Sequence, residues 1–343
     1  MATITAEAQQ SEEAEQDTIS TEVYARFLQR HEYVLRDEVT MRGFKAAIEA
    51  NAELFRGATV LEVGCGSGLL SFWVARQGAA RVFAVEPTDV WQVTRQLVKV
   101  NQLEHVIDVL HGQLQQLQLP PVDVIVSKWM GACLMFSSTL EDVLYARDKW
   151  LKPGGCIFPS SANLYMAVAE QPRQPLDLLS SPLRYWTRFA GVNLSHAWHI
   201  ILRTPVVGLL DASHVLSQRQ LLRHFDLHTL QPHELSFSVP FKLRTLRQAL
   251  AKYLLLYFDF GFPGHPAGAT TSISTSPSAA ATQWKQTLFR LDDHLPLCQG
   301  DLLCGQFEVG RSARHLDFDI TWGCHNQLVD VETHTQIYRM QGD

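Results

Sequence analysis

Short apolar segments alternate with amphipathic ones through much of the first half of the chain. Four segments rich in apolar and β-branched residues are predicted strands, at residues 59–63, 81–85, 106–110 and 122–126. Apolar residues recur at helical spacing over 68–77, about 89–101 and 140–151, and these segments are predicted helices. Strands that alternate with helices are typical of a parallel sheet covered by helices. The pattern therefore predicts a Rossmann-like α/β domain over residues 53–159.

The segments that precede this domain differ from it in composition. Residues 1–18 are acidic, rich in glutamine and without aromatic side chains, which is a composition that predicts a disordered tail. Residues 19–52 carry apolar side chains such as Tyr24, Phe27 and Val34 at roughly helical spacing. We expect one or two N-terminal helices there, and we expect them to act as a lid on the following domain.

The hydrophobic pattern changes after Lys152-Pro153-Gly154-Gly155, a sequence that predicts a turn. Residues 160–343 contain strand-like segments separated by glycine, proline and serine, and they predict an antiparallel β-barrel. About residues 171–210 the strand pattern is interrupted by aromatic residues at helix-like spacing. These residues are Tyr185, Trp186, Phe189 and Trp198, and we expect them to lie in an inserted helical arm.

Composition narrows the classes of function. The chain has 343 residues, of which 46% are hydrophobic and 19% charged, so it can bury a substantial core. Its net charge of -6 gives no general attraction to nucleic acid or anionic lipid, and neither partner is expected. The N-terminus does not read as a secretory signal, so we expect a soluble cytoplasmic protein, with the nucleus as the alternative. The cysteines lack metal-ligand spacing, and no metal site is predicted.

A glycine-rich turn follows the first predicted strand and opens the next helix. Its glycines are Gly64, Gly66 and Gly68, which allow the backbone to approach a ligand closely at a helix N-terminus. Leu69 stands where a dinucleotide fingerprint needs its third glycine, which disfavours NAD or FAD. Glu86, at the end of the second strand, is placed to accept hydrogen bonds from ribose hydroxyls. Together these features resemble motif I and its acidic partner in adenosylmethionine-dependent methyltransferases.

Further motifs resemble one family of such enzymes, the type I protein arginine methyltransferases. The motifs are H-E-x-x-L-x-D-E-V from His31, S-x-W-M-G-x-C-L from Ser127, L-Y-A-R-D-K-W-L-x-P-G-G from Leu144 and T-x-W-K-Q-T from Thr282. The resemblance runs from about Tyr24 to the C-terminus. It implies an adenosylmethionine-binding domain, a β-barrel, and a dimerisation arm that docks on a partner's cofactor domain. The arm would be the aromatic segment at about 171–210.

The chain departs from that family at the positions that would bind the methyl acceptor. We call residues 126–139 the acceptor loop. The resemblance implies two glutamates in this loop, where the chain has Lys128 and Ser137, and a histidine where it has Gln283. A guanidinium is a planar fork of donors that pairs with carboxylates. Lys128 would instead repel it, because like charges about 4 Å apart cost roughly 4 kcal/mol at an effective dielectric constant of about 20.

The cofactor side also departs from the family. Ser20 and Thr21 replace an aromatic pair in the entry helix, Thr40 replaces an arginine that would hold the cofactor carboxylate, and Gln115 replaces an acidic residue that would meet the adenine. With these changes the resemblance predicts a degenerate cofactor site, in which Gly64, Gly66, Gly68 and Glu86 remain. The substitutions at Ser20, Thr21, Thr40 and Gln115 place adenosylmethionine binding by this chain in question.

Within the family, the chain most resembles the catalytically inactive prozyme subunit of a kinetoplastid complex. The leading hypothesis is therefore a non-catalytic regulatory subunit, not an enzyme on its own, that activates or stabilises an active arginine methyltransferase paralogue. The two would form a heterodimer or heterotetramer. The active partner would bind adenosylmethionine, and the complex would act on arginine-glycine-rich proteins.

Two alternatives stay open. The chain could be an active methyltransferase with altered substrate preference, in which Lys128 favours an anionic or neutral acceptor or, desolvated, acts as a general base. The other alternative is a scaffold protein without a methyltransferase partner.

Overall fold

The computed structural model describes residues 19–171, 188, 189, 191–264, 272–312, 315–325 and 333–341. Within them the chain divides into two compact units. The first takes the chain up to Lys128 together with Ala146–Phe158, and the second takes Trp129–Tyr145 and the chain from Pro159 onward. The predicted tail at 1–18, and residues 172–187 and 190 of the predicted arm, lie outside the described residues. No helix within the described part is both long and apolar enough to cross a membrane.

The first unit is built on a parallel sheet. Its strands are β1 (Thr59–Val63), β2 (Arg81–Glu86), β3 (Ile107–His111), β4 (Val122–Val126) and β5 (Leu151–Phe158), in the order β3-β2-β1-β4-β5. Its helices are α1 (Thr21–Leu35), α2 (Glu38–Ala50), α3 (Ala52–Phe55), α4 (Leu69–Arg76) and α5 (Trp91–Val100). Helix α6 (Leu140–Trp150) runs from the second unit into the first. The predicted Rossmann-like class is confirmed.

One predicted element of this unit is wrong. Residues 152–155 were predicted to form a turn, but they lie inside β5. The pairing of β5 with β4 is irregular there, because Leu151 pairs with Val122 and Cys156 already pairs with Val124. The extra residues bulge out of the ladder, and Gly154 takes a φ of +78° within the bulge. Glycine and proline therefore mark a strand irregularity here, because the residues on both sides still pair with β4.

The second unit consists of antiparallel strands. Strands β6 (Ser161–Glu170), β9 (Val206–Gly208), β10 (Gln220–Asp226), β12 (Ala249–Gly261), β13 (Ser272–Ser274) and β14 (Gln286–Leu297) form one sheet. Strands β11 (Phe237–Arg244), β15 (Leu302–Arg311), β16 (His315–His325) and β17 (His334–Gln341) form another. A short hairpin joins β7 (Arg188–Phe189) to β8 (Val192–Asn193). The predicted antiparallel second half is confirmed; within the described strands, no ladder closes the two sheets into a barrel.

Aromatic side chains pack the two sheets of the second unit together. The ring of Phe289 on β14 lies 4.8 Å from Phe318 on β16 and 5.1 Å from Tyr338 on β17, centroid to centroid. Both pairs meet edge to face, which is a favoured geometry for aromatic rings. All three side chains are almost completely buried. Apolar burial of this kind is the main stabilising contribution to such a core.

Two glycines on β15 give a matched test of how closely the backbones of β15 and β16 pack. A Cβ on Gly305 of β15 would overlap the carbonyl oxygen of Thr321, whereas a Cβ on Gly310 would have no atom within 4 Å. We expect Gly305→Ala to lower the free energy of unfolding by about 2 kcal/mol or more, because backbone has to move. Gly310→Ala should change it by less than about 1 kcal/mol. Equal urea midpoints for the two variants would contradict the packing described.

Candidate functional site

The glycine turn after β1 has a backbone that only glycine adopts readily. Gly64, Gly66 and Gly68 have φ values of +67°, +52° and +74°. Residues with a side chain rarely adopt this left-handed region, so all three positions favour glycine. Gly68 is the N-cap of α4, and its amide donates to the carbonyl of Cys65 at 2.8 Å. The turn therefore brings bare backbone and a helix N-terminus to the carboxyl edge of the sheet.

Glu86 fixes the position of this turn. Its carboxylate accepts hydrogen bonds from the amide of Gly66 at 2.9 Å and from the amide and hydroxyl of Thr88 at 3.1 and 2.6 Å. Carboxylates that accept backbone amides form strong, charge-assisted hydrogen bonds. The structure thus brings together Gly66 and Glu86, as predicted from the sequence. A role for Glu86 towards ribose stays a prediction.

His31 covers the turn from α1. A Cβ on Gly66 would lie 2.5 Å from its Cε1 atom, so the imidazole packs directly on the glycine backbone. Burial lowers the pKa of His31, the charge of Glu86 opposes this shift, and the charges of Lys128 and Arg30 add to it. Imidazole with a lowered pKa is neutral at physiological pH. The entry helix is therefore in contact with the glycine turn through a neutral ring.

Glu62, on β1, is a buried acid that sequence reasoning missed. Burial raises its pKa to about 8, although hydrogen bonds from the Ser71 hydroxyl and amide oppose the shift. The side chain is 2% exposed, so it is mostly protonated at neutral pH. The signal was present, because Glu62 is the one charged residue in the apolar strand Thr-Val-Leu-Glu-Val.

Lys128 lies at the carboxyl end of β4, directly after Ser127. The hydroxyl of Ser127 donates to the carbonyl of Val63 at 2.9 Å, which ties the end of β4 to the end of β1. Burial lowers the pKa of Lys128 from its ordinary 10.5 to about 8, and the charge of Asp37 opposes the shift. Lys128 is thus largely protonated at pH 7, with a growing neutral fraction above it. A depressed pKa belongs to the alternative in which Lys128 acts as a general base, and that role stays a prediction.

The residues present fit an adenosyl nucleoside. Three left-handed glycines, a helix N-terminus and the Glu86 carboxylate would hold its polar groups, and such a cofactor supplies an activated methyl group when bound.

The position expected to hold an arginine is occupied differently. Thr40 is fully buried, and its amide and hydroxyl donate to the Asp37 carboxylate at 3.0 and 2.7 Å, which caps α2. Gln115 lies exposed in a short 3-10 helix.

The acceptor loop enters the second unit at Trp129 and folds into a tight hairpin. The amide of Gly131 donates to Leu134, and the amide of Phe136 donates to Ala132, both at 2.9 Å. Cys133, Leu134 and Ser137 have φ values of +51°, +70° and +53°, which are strained for residues other than glycine. A Cβ on Gly131 would overlap the carbonyl oxygen of Phe136. Only glycine therefore fits at position 131, and the hairpin also contains three residues with a strained backbone.

Two side chains from other parts of the second unit, Trp284 in the turn before β14 and Arg311 at the end of β15, hold this strained hairpin. The indole of Trp284 donates to the carbonyl of Met130 at 2.8 Å. Arg311, 12% exposed, donates to the carbonyl of Met135 at 2.6 Å and pairs with Glu141 at 3.1 Å. Sequence reasoning missed Arg311, because its distance from the loop along the chain leaves no local signal. The loop conformation is therefore imposed by tertiary contacts as well as by its own sequence.

The predicted site residues fall into both units. Lys128 belongs to the first unit, whereas Ser137 and Gln283 belong to the second. Ser137 is exposed, and Gln283 is half-buried beside Trp284. Cys133 is buried, and burial raises the pKa of its thiol to about 12, so it is not a nucleophile at neutral pH.

The predicted arm is only partly described. Trp198 begins helix α7 (Trp198–Arg203), which agrees with the expected helical arm. The expectation is wrong at Phe189, which lies in strand β7, and at the end of the segment, where residues 206–208 form β9. Tyr185 and Trp186 lie outside the described residues.

Comparisons with known proteins agree over both units. Residues 160–327 match a family model described as arginine methyltransferase oligomerization subdomain, and residues 60–155 match one described as methyltransferase domain. Protein arginine N-methyltransferase 8-B of Danio rerio is 35% identical, over 88% of this chain and 72% of its own. Protein arginine N-methyltransferase 1 of Oryza sativa subsp. indica is 33% identical, over 91% of this chain and 80% of its own.

A solved structure is also similar. A chain of the Trypanosoma brucei PRMT1 enzyme-prozyme heterotetrameric complex with AdoHcy superposes with a TM-score of 0.84 at 27% identity. The match covers 92% of the present chain and 98% of that one.

The expectation that the chain is not an enzyme on its own is wrong. Relatives that are 33% and 35% identical over most of the chain are named protein arginine N-methyltransferases, which points to an enzyme. The expectation rested on a few substituted side chains, whereas the similarity extends over most of the chain. Lys128, Ser137 and Gln283 nevertheless occupy the positions where the family resemblance implies two glutamates and a histidine.

Lys128 gives a pH-dependent test. Because its pKa is depressed in the folded state, the unfolded chain binds the proton more strongly. The buried charge therefore lowers the free energy of unfolding by its full amount below about pH 8, and by progressively less up to pH 10.5. We expect Lys128→Met to raise the free energy of unfolding at pH 7 by about 1–3 kcal/mol, with a difference that shrinks towards pH 10. The matched control is Lys45→Met, since Lys45 is half exposed in a surface pair with Glu49. A gain that is independent of pH would contradict the burial of this charge.

Arg311 gives a test of the hairpin. We expect Arg311→Met to accelerate amide hydrogen exchange in residues 131–139 by about tenfold or more, because charge-assisted hydrogen bonds to a buried carbonyl are lost. Arg339→Met is the control, since Arg339 is 57% exposed in its pair with Asp317 on the same sheet. Mass spectrometry of the peptide spanning the hairpin would measure both, and unchanged exchange in Arg311→Met would show that Arg311 does not hold the loop.

Proposed function

This chain belongs to the protein arginine methyltransferase family, and on that premise we propose that it acts as a regulatory subunit of a hetero-oligomeric arginine methyltransferase. In this role it pairs with a paralogous subunit and activates or stabilises that subunit's arginine-binding site. The proposed role acts on the paralogue's site, and it does not exclude methyl transfer by this chain itself.

The observation that carries the proposal is the charge of the acceptor loop. Lys128 is a partly buried cation where the family resemblance implies a carboxylate, and Ser137, nine residues further along the chain, is neutral. Bidentate recognition of a guanidinium needs carboxylates, and a buried cation opposes it. Arginine-glycine-rich substrates are therefore better suited to the site of a partner than to the acceptor loop of this chain.

The pairing surface has support from the comparisons. The match to an oligomerization subdomain covers the residues that contain the predicted arm. A similar chain belongs to an enzyme-prozyme heterotetramer, which is a precedent for unlike subunits with this fold. We propose that the arm, with Tyr185, Trp186, Phe189 and Trp198, docks on the partner's cofactor domain. A subunit that binds the ordered state of that domain more tightly than the disordered state shifts the partner towards activity.

Adenosylmethionine is the proposed methyl donor of the complex. In this chain Gly64, Gly66, Gly68 and Glu86 would hold the nucleoside, which the geometry of the glycine turn supports. The partner would hold its own copy of the cofactor.

A second candidate function is favoured by Lys128 itself. Methyl transfer by this chain to an anionic or neutral acceptor would place a lysine with a pKa of about 8 at the acceptor loop as an electrostatic partner or proton acceptor. The same experiment tests both candidates.

The experiment is a methyl-transfer assay with labelled adenosylmethionine and an arginine-glycine-rich protein. This chain, an arginine methyltransferase paralogue from the same cell, and the coexpressed pair would be compared at equal subunit concentration. We expect the coexpressed pair to methylate at least about tenfold faster than the sum of the separate subunits. Trp186→Ala should lose both copurification and stimulation, whereas Ile337→Ala, which truncates a 59% exposed apolar side chain outside the arm, should keep both.

Two results would count against the regulatory role. One is a pair that does not copurify, and the other is a pair whose activity equals the sum of its subunits. Labelling of acidic or neutral acceptors by this chain alone would support the second candidate instead.

A further inference from the structure

Helix α7, in the described part of the predicted arm, ends in an ion pair with β14. The helix packs against β14 and β17 of the second unit and carries Ile200, whose side chain is 70% exposed. We propose that the ion pair between Arg203 and Asp292 is a clamp that orients α7 for contact with a partner subunit. This role deepens the proposed function and rests on it, because the clamp fixes part of the surface by which the two subunits would pair.

The clamp has the geometry of a fork. Arg203 is the last residue of α7, and its Nη1 and Nη2 atoms donate to the Oδ1 and Oδ2 atoms of Asp292, both at 3.1 Å. Two parallel hydrogen bonds fix the relative orientation of the two groups as well as their distance. Exposed ion pairs generally contribute little to stability, but bidentate pairs of arginine and carboxylate are an exception. The end of α7 is therefore held against β14.

A bulge in β14 brings Asp292 to the helix. Residues 291–294 stand opposite the single residue Lys252 of β12, because the register of the two strands shifts there. Bulges of this kind re-aim side chains away from the ladder. The main chain of Asp292 is fixed on both sides, since its carbonyl accepts from the Lys252 ammonium at 3.0 Å and its amide donates to the Gln336 side chain at 3.4 Å. The carboxylate remains available to Arg203.

Neighbouring charges do not replace the pair. The ammonium of Lys252 is bound to the main-chain carbonyl of Asp292, and burial lowers its pKa. Asp293, the next residue of the bulge, is exposed and forms no ion pair with any other described residue. Within the described part of the chain, the cation that pairs with the Asp292 carboxylate is Arg203. Asp293 is therefore a matched control for Asp292, with the same charge in the same bulge.

The other end of the same excursion from the sheet has an anchor of the same kind. Glu170 is the last residue of β6, and its carboxylate accepts both terminal nitrogens of Arg247, at 2.6 and 3.3 Å. The chain thus leaves the sheet at one pair of arginine and carboxylate and returns to it at another. A binding surface that is oriented before association loses less conformational entropy when it binds. Loss of the clamp on α7 should therefore weaken pairing with the partner.

The test combines hydrogen exchange of the isolated full-length chain with its association with the coexpressed paralogue. We expect Asp292→Asn to accelerate amide exchange in peptides that cover residues 198–204 by about threefold to tenfold, because a bidentate ion pair is lost. The dissociation constant for the paralogue should rise by a similar factor. Asp293→Asn should leave both values unchanged.

A charge swap separates the clamp from general damage to the bulge. Asp292→Arg and Arg203→Asp each place like charges together, so each should accelerate exchange in α7 more than Asp292→Asn does. The double variant restores opposite charges and should recover most of the wild-type protection and affinity, which a damaged bulge would not.

Three results would overturn the proposal. They are unchanged exchange of α7 in Asp292→Asn, a double variant that behaves like its single parents, and faster exchange without any loss of affinity for the paralogue. Failure of the wild-type chain to associate with the paralogue would count against the proposed function, and against the pairing role of the clamp with it. The exchange measurements on the isolated chain still decide whether Asp292 holds α7.

Discussion

The hydrogen bond from the Gly66 amide to the Glu86 carboxylate is the constraint on which the cofactor edge of the first unit depends. It joins the turn after β1 to the end of β2 at 2.9 Å. The turn can reach that carboxylate because three glycines adopt left-handed conformations. His31 then packs on the backbone of Gly66, and this contact joins α1 to the turn. A buried, protonated Glu62 below the turn completes an edge in which acids are either hydrogen-bonded or neutral.

The acceptor loop depends on contacts of another kind. Its hairpin contains three non-glycine residues in the left-handed region, and strain of this type persists only where the surroundings impose it. Trp284 and Arg311 supply those surroundings through the carbonyls of Met130 and Met135. The loop has thus kept a demanding conformation although Ser137 and Lys128 do not provide the carboxylates that the family resemblance implies. The conformation of this loop therefore does not depend on carboxylates at positions 128 and 137.

Much of the fold could be predicted from the sequence, because its signals are local. Alternating strands and helices predicted the parallel sheet, and the glycine spacing predicted the turn that Glu86 contacts. The turn predicted at 152–155 failed because Gly154 forms a bulge whose flanking residues pair across the sheet, a contact that no local pattern reveals. Arg311 was missed for the same reason. The expectation of a non-enzyme failed because it gave more weight to a few substituted side chains than to the similarity with named methyltransferases over most of the chain.

The way in which the hairpin is held has a consequence for redesign. Both supporting side chains bond to main-chain carbonyls, and every residue type offers the same carbonyl. An exposed position such as Ser137 can therefore accept a new side chain without loss of these bonds, provided that the residue tolerates a positive φ. Asparagine, aspartate and glycine meet that condition best, so the side chain at this position can be changed while the hairpin keeps its main-chain hydrogen bonds.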